Sequence, residues 1–261
     1  MDSSSIKIIG LMLKRDLLNL RKSWLGILIN MIIWVIITVA IKLYILPYFG
    51  ISEQYGSLIL VAAISSAANF EIMFRMEFFV QDINERREAI NYDLLLPISS
   101  ALVFIERALY FAITGLFVSV MVLPLGKLLF WSRIDLTHLS LLKLIPFYIL
   151  FNLMYGFFAL YLSSRIAGLQ AIINLWMRVI FPLWFLGGFE FSWYALKDMA
   201  PKFAYVALLN PYLYTTEGLR AAVFGQRGYI SFWICVLIVV LFTFFIGWRA
   251  LGNLKKKLDT V

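Results

Sequence analysis

Long apolar runs alternate along this chain with short charged segments. A transmembrane helix needs about 20 consecutive apolar residues, with a range of roughly 17–25. Five segments meet this requirement: Trp24–Leu46, Ser57–Phe74, Ala108–Leu125, Leu144–Leu162 and Ile230–Trp248. A sixth segment, Leu169–Phe189, is long enough but is interrupted by Asn174, Arg178 and Pro182. The pattern predicts an all-α membrane protein with six transmembrane helices.

The composition excludes a water-soluble protein. Of the 261 residues, 62% are hydrophobic and only 15% are charged, whereas a soluble fold needs far more polar surface. The net charge of +8 does not indicate nucleic-acid binding, because the basic residues cluster in short segments that flank apolar runs. Cys235 and His138 are the only cysteine and histidine, so we expect no intramolecular disulfide and no structural metal site.

The distribution of basic residues predicts the topology. Six spans place both termini on one side of the membrane. If that side is the cytoplasm, the segments facing it contain 13 lysines and arginines, against 7 in the segments on the outer side. Cytoplasmic segments of membrane proteins are enriched in these residues. We therefore expect both termini, and the charged segment Gln81–Pro97, to be cytoplasmic.

The first 23 residues have the pattern of a surface helix. Ile6, Ile9, Leu13, Leu17 and Leu20 recur at helical spacing, with lysines and arginines between them. Trp24 follows, where an aromatic residue suits the depth of the lipid headgroups. We predict an amphipathic interfacial helix that leads into the first span. A solvated cytoplasmic tail is the alternative.

The segment Gln81–Pro97 contains six charged residues between two long apolar runs. Its charged residues are Asp82, Glu85, Arg86, Arg87, Glu88 and Asp93. Each charge would cost about 2.5–3.5 kcal/mol or more at the centre of a bilayer. The segment must therefore project into water or lie against another protein. Glu85 and Glu88 could mimic a catalytic acid and base, but a mixed-charge, water-exposed segment favours a solvated helix face.

The segment 190–229 lies between the fifth and sixth spans and is rich in aromatic residues. Asn210-Pro211 is a good helix start, with Asn as the N-cap and Pro in the first helical position. Gly225 supplies a stop. A helix from Pro211 to Phe224 would be about 21 Å long, which is too short to span. We predict that the segment re-enters from the outer side and packs against protein or a wet cavity.

Common catalytic motifs are missing from the sequence. It contains no GxxxxGK[ST] phosphate loop, no HExxH metal helix and no GxSxG nucleophile elbow. We therefore expect this chain to be no enzyme by itself, with no catalytic, metal-binding or cofactor-binding residues.

Two regions resemble the permease subunit of type-2 ABC exporters. Gln81–Phe104 is similar to that family's charged cytoplasmic connection, which ends in a leucine pair, a proline and a small polar residue. Phe181–Gly225 is similar to its ordered series of short motifs. These fall on Pro182, Gly187-Gly188, Ala200-Pro201, Leu209-Asn210-Pro211, Gly218-Leu219-Arg220 and Gly225. Glu190 and Arg178 depart from the family pattern.

The resemblance implies a single permease domain over 1–261 in the bacterial cytoplasmic (inner) membrane. Two permease chains, identical or closely related, would pair with two separate ATPase subunits that bind ATP and Mg²⁺. The segment 81–97 would dock on an ATPase and transmit its motion to the spans. The coupling residues would be Asp82, Glu85, Arg86, Arg87 and Glu88. The re-entrant outer segment would form the exit.

Several residues in the apolar runs are candidates for lining a transport pathway. The candidate pathway residues are Trp34, Tyr44, Phe70, Trp176, Arg178 and Trp184. Aromatic side chains could stack on sugar rings or apolar drugs, although aromatics in spans more often pack or face lipid. Arg178 could contact an anionic substrate. Alternatively, it snorkels to the interface or pairs with Glu71 or Glu77.

The outer segment offers a second set of candidates. The predicted outer gate consists of Glu190, Tyr212, Glu217 and Arg220. Glu217 and Arg220 are three residues apart on the short helix. They could instead pair with each other or cap neighbouring backbone.

The expected function is ATP-driven export of an amphipathic substrate: a lipid-linked saccharide, a lipid or a hydrophobic drug. The amphipathic first helix and the aromatic content of 17% favour the saccharide modestly. An ion-coupled secondary transporter is the alternative, but that class normally shows inverted repeats and acidic residues at the membrane midplane. A membrane scaffold that transports nothing would not need the re-entrant segment.

Overall fold

The computed structural model describes residues 3–50, 52, 54–86, 88–131, 134–166 and 168–259. Within these ranges the chain consists of helices and the turns between them. The first half contains α1 (Ser3–Lys22), α2 (Trp24–Val35), a π-helix (Ile36–Ile45), a 3₁₀ turn (Leu46–Phe49), α3 (Gln54–Gln81), a π-helix (Asp82–Arg86), α4 (Glu88–Leu94), α5 (Ser100–Ser119) and α6 (Val122–Leu129). The second half contains α7 (Leu141–Arg165), α8 (Leu169–Leu175), a π-helix (Trp176–Ile180), α9 (Phe181–Phe185), α10 (Trp193–Met199), α11 (Pro201–Ala207), α12 (Pro211–Val223) and α13 (Phe232–Asp259).

Five helical segments in the described ranges are long and apolar enough to cross a membrane. They are Trp24–Phe49, Tyr55–Asn84, Ser100–Leu129, Leu141–Arg165 and Phe232–Lys257. The first four contain the first four predicted apolar runs, and the fifth begins two residues after the start of the run Ile230–Trp248. The prediction of an all-helical, multi-pass membrane protein is thus confirmed at the level of length and composition.

The sixth predicted span does not reach this length. The apolar helix there extends only over Gln170–Phe185, and it contains the π-helical turn Trp176–Ile180. At 1.5 Å per residue it covers about 24 Å, less than the roughly 30 Å of a hydrocarbon core. The chain then turns at Gly187 and Gly188 towards α10. Five candidate spans are therefore established, and the six-span arrangement is not.

Helix α3 lies at the centre of the bundle. It packs against α5, α7, α12 and the π-helix Ile36–Ile45. Small residues allow other helices of the bundle to approach each other closely. A Cβ added to Gly156 of α7 would lie 2.4 Å from the carbonyl oxygen of Ala108 on α5. Inside a membrane the hydrophobic effect does not drive helices together, and such close contacts favour their association instead.

Helix α12 confirms the predicted short helix within one residue. All 13 of its residues are buried. The Asn210 side chain caps its start by accepting a hydrogen bond from the backbone N–H of Tyr212 at 3.0 Å. The same side chain donates to the carbonyl oxygen of Leu183 at 2.6 Å, which ties α12 to α9. The helix is packed against protein, as predicted.

Polar contacts hold α12 against the bundle. The hydroxyl of Thr215 lies 2.9 Å from the hydroxyls of both Ser65 on α3 and Tyr155 on α7. The Tyr212 hydroxyl donates to the side-chain oxygen of Asn69 at 2.7 Å. A buried hydroxyl without a partner costs free energy. These bonds therefore favour one position of α12 over others.

The turn at Gly187 and Gly188 allows α12 to come close. Gly188 has φ +75°, and a Cβ there would lie 2.8 Å from Leu213 Cδ1 and 2.9 Å from Thr216 Oγ1. A Cβ on Gly187 would lie 2.7 Å from Tyr212 Cβ. Glycine is needed at both positions, because any side chain would push this turn away from α12.

We expect Gly188→Ala to lower the free energy of unfolding by about 1–3 kcal/mol, because alanine is strained at positive φ. Gly252→Ala is the matched control, since no atom lies within 4 Å of a Cβ added at that helical position. Thermal unfolding of the purified chain in lipid nanodiscs would measure the difference. Equal melting temperatures for the two variants would contradict the packing described for this turn.

Candidate functional site

A groove runs along one side of the bundle. Its walls are α2 with the following π-helix, the middle of α3, and the segment Gln170–Phe185. Its volume is about 590 Å³, and apolar side chains such as Ile27, Met31 and Ile37 form much of the lining. Ile33, Ile37 and Phe74 are exposed at its edges. An apolar molecule could therefore reach the groove from the side of the bundle.

Aromatic rings form a continuous column in this groove. Phe70 lies at the centre, with its ring centroid 5.5 Å from Trp34, 5.9 Å from Trp176 and 5.3 Å from Trp184. Phe74 extends the column at one end and Phe189 at the other. Their centroids lie 5.4 Å from Trp176 and 4.6 Å from Trp184, respectively. Four of the six predicted pathway residues are thus in one site.

Hydrogen bonds fix two of the three indole rings. The Nε1 of Trp184 donates to the Ser66 hydroxyl at 2.7 Å, and that of Trp176 donates to the Glu77 carboxylate. The Nε1 of Trp34 is buried and has no partner among the described residues. Helix α3 therefore holds the indole rings of Trp176 and Trp184, whereas the indole N–H of Trp34 is an unused donor.

An ion pair lies at each end of the aromatic column. At the α12 end, Lys42 binds the carboxylate of Glu190, and the Tyr55 hydroxyl donates to Glu190 Oε2 at 2.6 Å. The Lys42 ammonium also lies 5.4 Å from the Phe189 ring centroid. At the α4 end, Arg75 binds Glu71, with 2.9 Å between Nε and Oε1. Of these four charged residues only Glu71 lines the groove itself, and Lys42, Glu190 and Arg75 lie beside the aromatic column.

Two predicted pathway residues do not line this groove. Tyr44 packs against Phe130, with ring centroids 5.9 Å apart. It lies ten residues after Trp34, which is not a whole number of helical turns, so the two side chains do not share a face. Arg178 is exposed and pairs with neither Glu71 nor Glu77. Of the two alternatives to substrate contact, snorkelling and pairing, the structure does not show the pairing: Glu71 binds Arg75, and Glu77 accepts from Trp176.

The predicted gate residues lie where the segment 190–229 packs on the bundle. Glu217 and Arg220 are fully buried and pair with each other at 3.4 Å. Arg220 donates to the carbonyl oxygens of Phe191 and Phe189, and Glu217 accepts from the backbone N–H groups of Trp193 and Ile230. The alternative given from the sequence, that Glu217 and Arg220 pair with each other or bond to neighbouring backbone groups, is confirmed. A gating role for Glu190, Tyr212, Glu217 and Arg220 stays a prediction.

The charged segment 81–97 begins as a π-helix and continues as α4. The Asp82 carboxylate accepts hydrogen bonds from the backbone N–H groups of Ala89 and Ile90, at 3.2 and 2.8 Å. It therefore caps the start of α4. The side chains of Glu85, Arg86 and Glu88, and the whole of Arg87, lie outside the described residues, so their predicted coupling role stays a prediction.

Asp93 differs from the expectation that the charges of this segment face water. Its side chain is fully buried. Arg15 on α1 binds it at 2.7 Å, and Arg107 on α5 binds it at 3.0 Å. Asp16 completes the group, 2.8 Å from Arg15 and 3.2 Å from Arg107. We call Arg15, Asp16, Asp93 and Arg107 the ionic cluster.

The ionic cluster joins α1, α4 and α5. Asp93 can be buried because two guanidinium groups neutralise the two carboxylates of the cluster. The pKa of the Arg15 guanidinium is raised above its usual value, mainly by its hydrogen bond to Asp93. Helix α1, predicted as an interfacial helix, is confirmed as a helix and packs against α5. A lone aspartate within a basic helix was the only sequence signal for this docking.

Comparisons with known proteins identify no relative: the chain matches no protein-family model, no curated protein and no solved structure. The similarity to type-2 ABC permeases therefore depends on the sequence motifs alone.

We expect Asp93→Asn to loosen α1 and α4 and to lower the free energy of unfolding by about 1–3 kcal/mol, because two arginines lose a charged partner. Hydrogen–deuterium exchange should accelerate in both helices. The exposed Asp198, changed to Asn, is the control and should leave exchange unaltered. Unchanged exchange in α1 and α4 of the Asp93 variant would contradict the docking role.

Proposed function

We propose that this chain is the transmembrane subunit of an ATP-driven exporter of the type-2 ABC class. It would move an amphipathic substrate out of the cytoplasm: a lipid-linked saccharide, a lipid or a hydrophobic drug. The observation that carries this proposal is the aromatic groove, which has two ion pairs beside its aromatic column. Its volume of about 590 Å³ falls in the usual range of small-molecule sites, about 300–1,000 Å³.

The chemistry of the groove supports an amphipathic cargo. Hydrocarbon or a flat apolar ring would pack on Trp34, Phe70, Trp176 and Trp184. Polar parts of the same molecule would lie near Lys42 and Glu190 at one end or Arg75 and Glu71 at the other. The groove has exposed apolar edges, so a substrate could enter from lipid without crossing water.

The tethering of α4 supports a coupling role for the segment 81–97. Asp82 ties the start of α4 to the end of α3, and Asp93 ties its last turn to α1 and α5. A force applied to α4 would therefore reach two of the candidate spans. In this proposal the force comes from two separate ATPase subunits, which hold ATP and Mg²⁺, and this chain has no catalytic site of its own.

The remaining parts of the proposal follow from the family resemblance and the charge distribution. The chain pairs with a second copy or a close relative. Both termini lie in the cytoplasm, and the complex resides in the bacterial inner membrane. Membrane lipids surround the bundle, and no nucleic acid is involved.

We expect Phe70→Ala and Trp176→Ala to weaken substrate binding about tenfold each, because a lost ring contact and its buried area are together worth over 1 kcal/mol. Binding of a fluorescent phospholipid, a polyprenyl-linked saccharide and an apolar dye would each be measured in nanodiscs. Trp248→Ala is the control, since that side chain is exposed on α13 away from the groove. Equal effects of all three variants on every probe would reject the groove as the site.

We expect the double substitution Arg86→Glu and Arg87→Glu to abolish co-purification with the ATPase subunit or to uncouple its activity from substrate, because charge-assisted hydrogen bonds would be lost. Lys255→Glu reverses an exposed charge near the end of α13 and serves as the control. A complex with unchanged ATPase stimulation would contradict the docking role. Failure to recover any ATPase with the native chain would overturn the proposed function.

A further inference from the structure

Glu106 is a fully buried acid without a hydrogen-bond partner among the described residues. It lies on α5, within the candidate span Ser100–Leu129, and its exposed fraction is 0%. Neither of its carboxylate oxygens has a hydrogen-bond partner among the described residues. Buried polar atoms in folded proteins nearly always have one. The sequence pattern did not single this residue out, because the apolar run of this span begins only at Ala108.

The burial of Glu106 determines its charge. An ionised carboxylate without a hydrogen bond or a bound cation is very costly in an apolar interior. The protonated acid avoids most of that cost, because only a neutral polar group is then buried. An acidic side chain buried in a membrane-spanning helix is, in addition, a functional-site hypothesis by default. The burial of Glu106 therefore favours its protonated, neutral form.

The neighbouring charges do not offer Glu106 a free cation. Those acting on it belong to Arg107 of its own helix, Asp16 and Arg15 of α1, and Asp93 of α4. These are the four members of the ionic cluster. Both guanidinium groups bind both aspartates, so the two positive and two negative charges already balance. An ionised Glu106 would add a third carboxylate to two arginines.

Arg107 is the cation nearest to Glu106 in sequence, but it points elsewhere. Adjacent residues on a helix do not face each other. The guanidinium carbon of Arg107 lies 5.3 Å from the ring centroid of Phe79 and 5.5 Å from that of Tyr110. Its Nε is buried without a partner among the described residues. Arg107 thus has one unused donor that an ionised Glu106 would attract.

A cavity next to the cluster provides a place for water. It has a volume of about 370 Å³, and Arg107 lines it together with Arg75 and Asp82. Glu106 does not line it. These two further charges, from α3 and the π-helix after it, therefore face Arg107 rather than Glu106. The cavity is large enough and polar enough to hold water beside the cluster.

We propose that Glu106 is a proton-binding site whose proton keeps α1 and α4 docked on α5. When the proton leaves, the new carboxylate repels Asp16 and Asp93 and competes with them for Arg107. The cluster then loses one of its links, and α1 or α4 loosens. Docking is complete while Glu106 is protonated, at lower pH, and weakens as pH rises. This site does not depend on an ATPase partner and goes beyond the proposed export function.

Infrared spectroscopy of the full chain in nanodiscs would detect the proton directly. The C=O stretch of a protonated carboxylic acid should be present at neutral pH in the native chain and missing in Glu106→Gln. Glutamine has the same shape and no charge, so the variant should fold. Identical carboxylic-acid bands in the two proteins would overturn the proposal.

Spin-label distances would test the link to docking. Labels are attached to Leu18→Cys on α1 and Tyr92→Cys on α4, both at exposed positions, while the buried Cys235 stays unlabelled. In the native background the distance distribution should broaden from acidic to alkaline pH. With Glu106→Gln it should stay narrow at every pH, and with Asp93→Asn it should be broad at every pH. The same pH response with and without Glu106, or no response in the native background, would overturn the proposal.

Discussion

The structure depends on one constraint: polar groups inside an apolar bundle must find partners within the protein. One turn of α3 shows how this is met. Ser65 bonds with Tyr155 and Thr215, Ser66 accepts from Trp184, and Asn69 accepts from Tyr212. Two of these four bonds reach α12, one reaches α7 and one reaches α9. The position of α12, although too short to span a membrane, follows from these bonds and from the glycine turn that lets it approach.

The same helix connects the two regions to which function is proposed. Four residues beyond Ser66, Phe70 forms the centre of the aromatic column. The end of α3 continues into the π-helix that contains Asp82, whose carboxylate caps α4. The groove and the charged segment are therefore attached to one rigid element. Movement of α4 relative to the bundle would act on the ionic cluster at one end of α4 and on α3 at the other. The cluster and the proton on Glu106 are therefore suited to control the movement of α4.

The sequence predicted the local features of the site better than its contacts. The short helix after Asn210-Pro211 was predicted within one residue, since its cap and stop are local signals. Four of the six pathway residues occupy one groove. Tyr44 does not, because its spacing from Trp34 is not a whole number of helical turns. Arg178 is exposed and pairs with neither Glu71 nor Glu77. Lys42 and Ser66 were not anticipated, and neither was the bond from Trp176 to Glu77, since each contact joins residues distant in the chain.

What the sequence by itself determined is the class of the protein. Apolar runs of sufficient length require helices that bury their own backbone hydrogen bonds, and charges between the runs require segments outside lipid. Only the tertiary structure decided which charges are truly solvated. In the sequence Asp93 lies between Tyr92 and Leu94, and Glu106 between Ile105 and Arg107, so only Glu106 has a basic neighbour. In the structure both are fully buried, but two arginines from other helices bind Asp93, whereas the Glu106 carboxyl group has no partner among the described residues. That difference depends on helix packing, which no local pattern encodes.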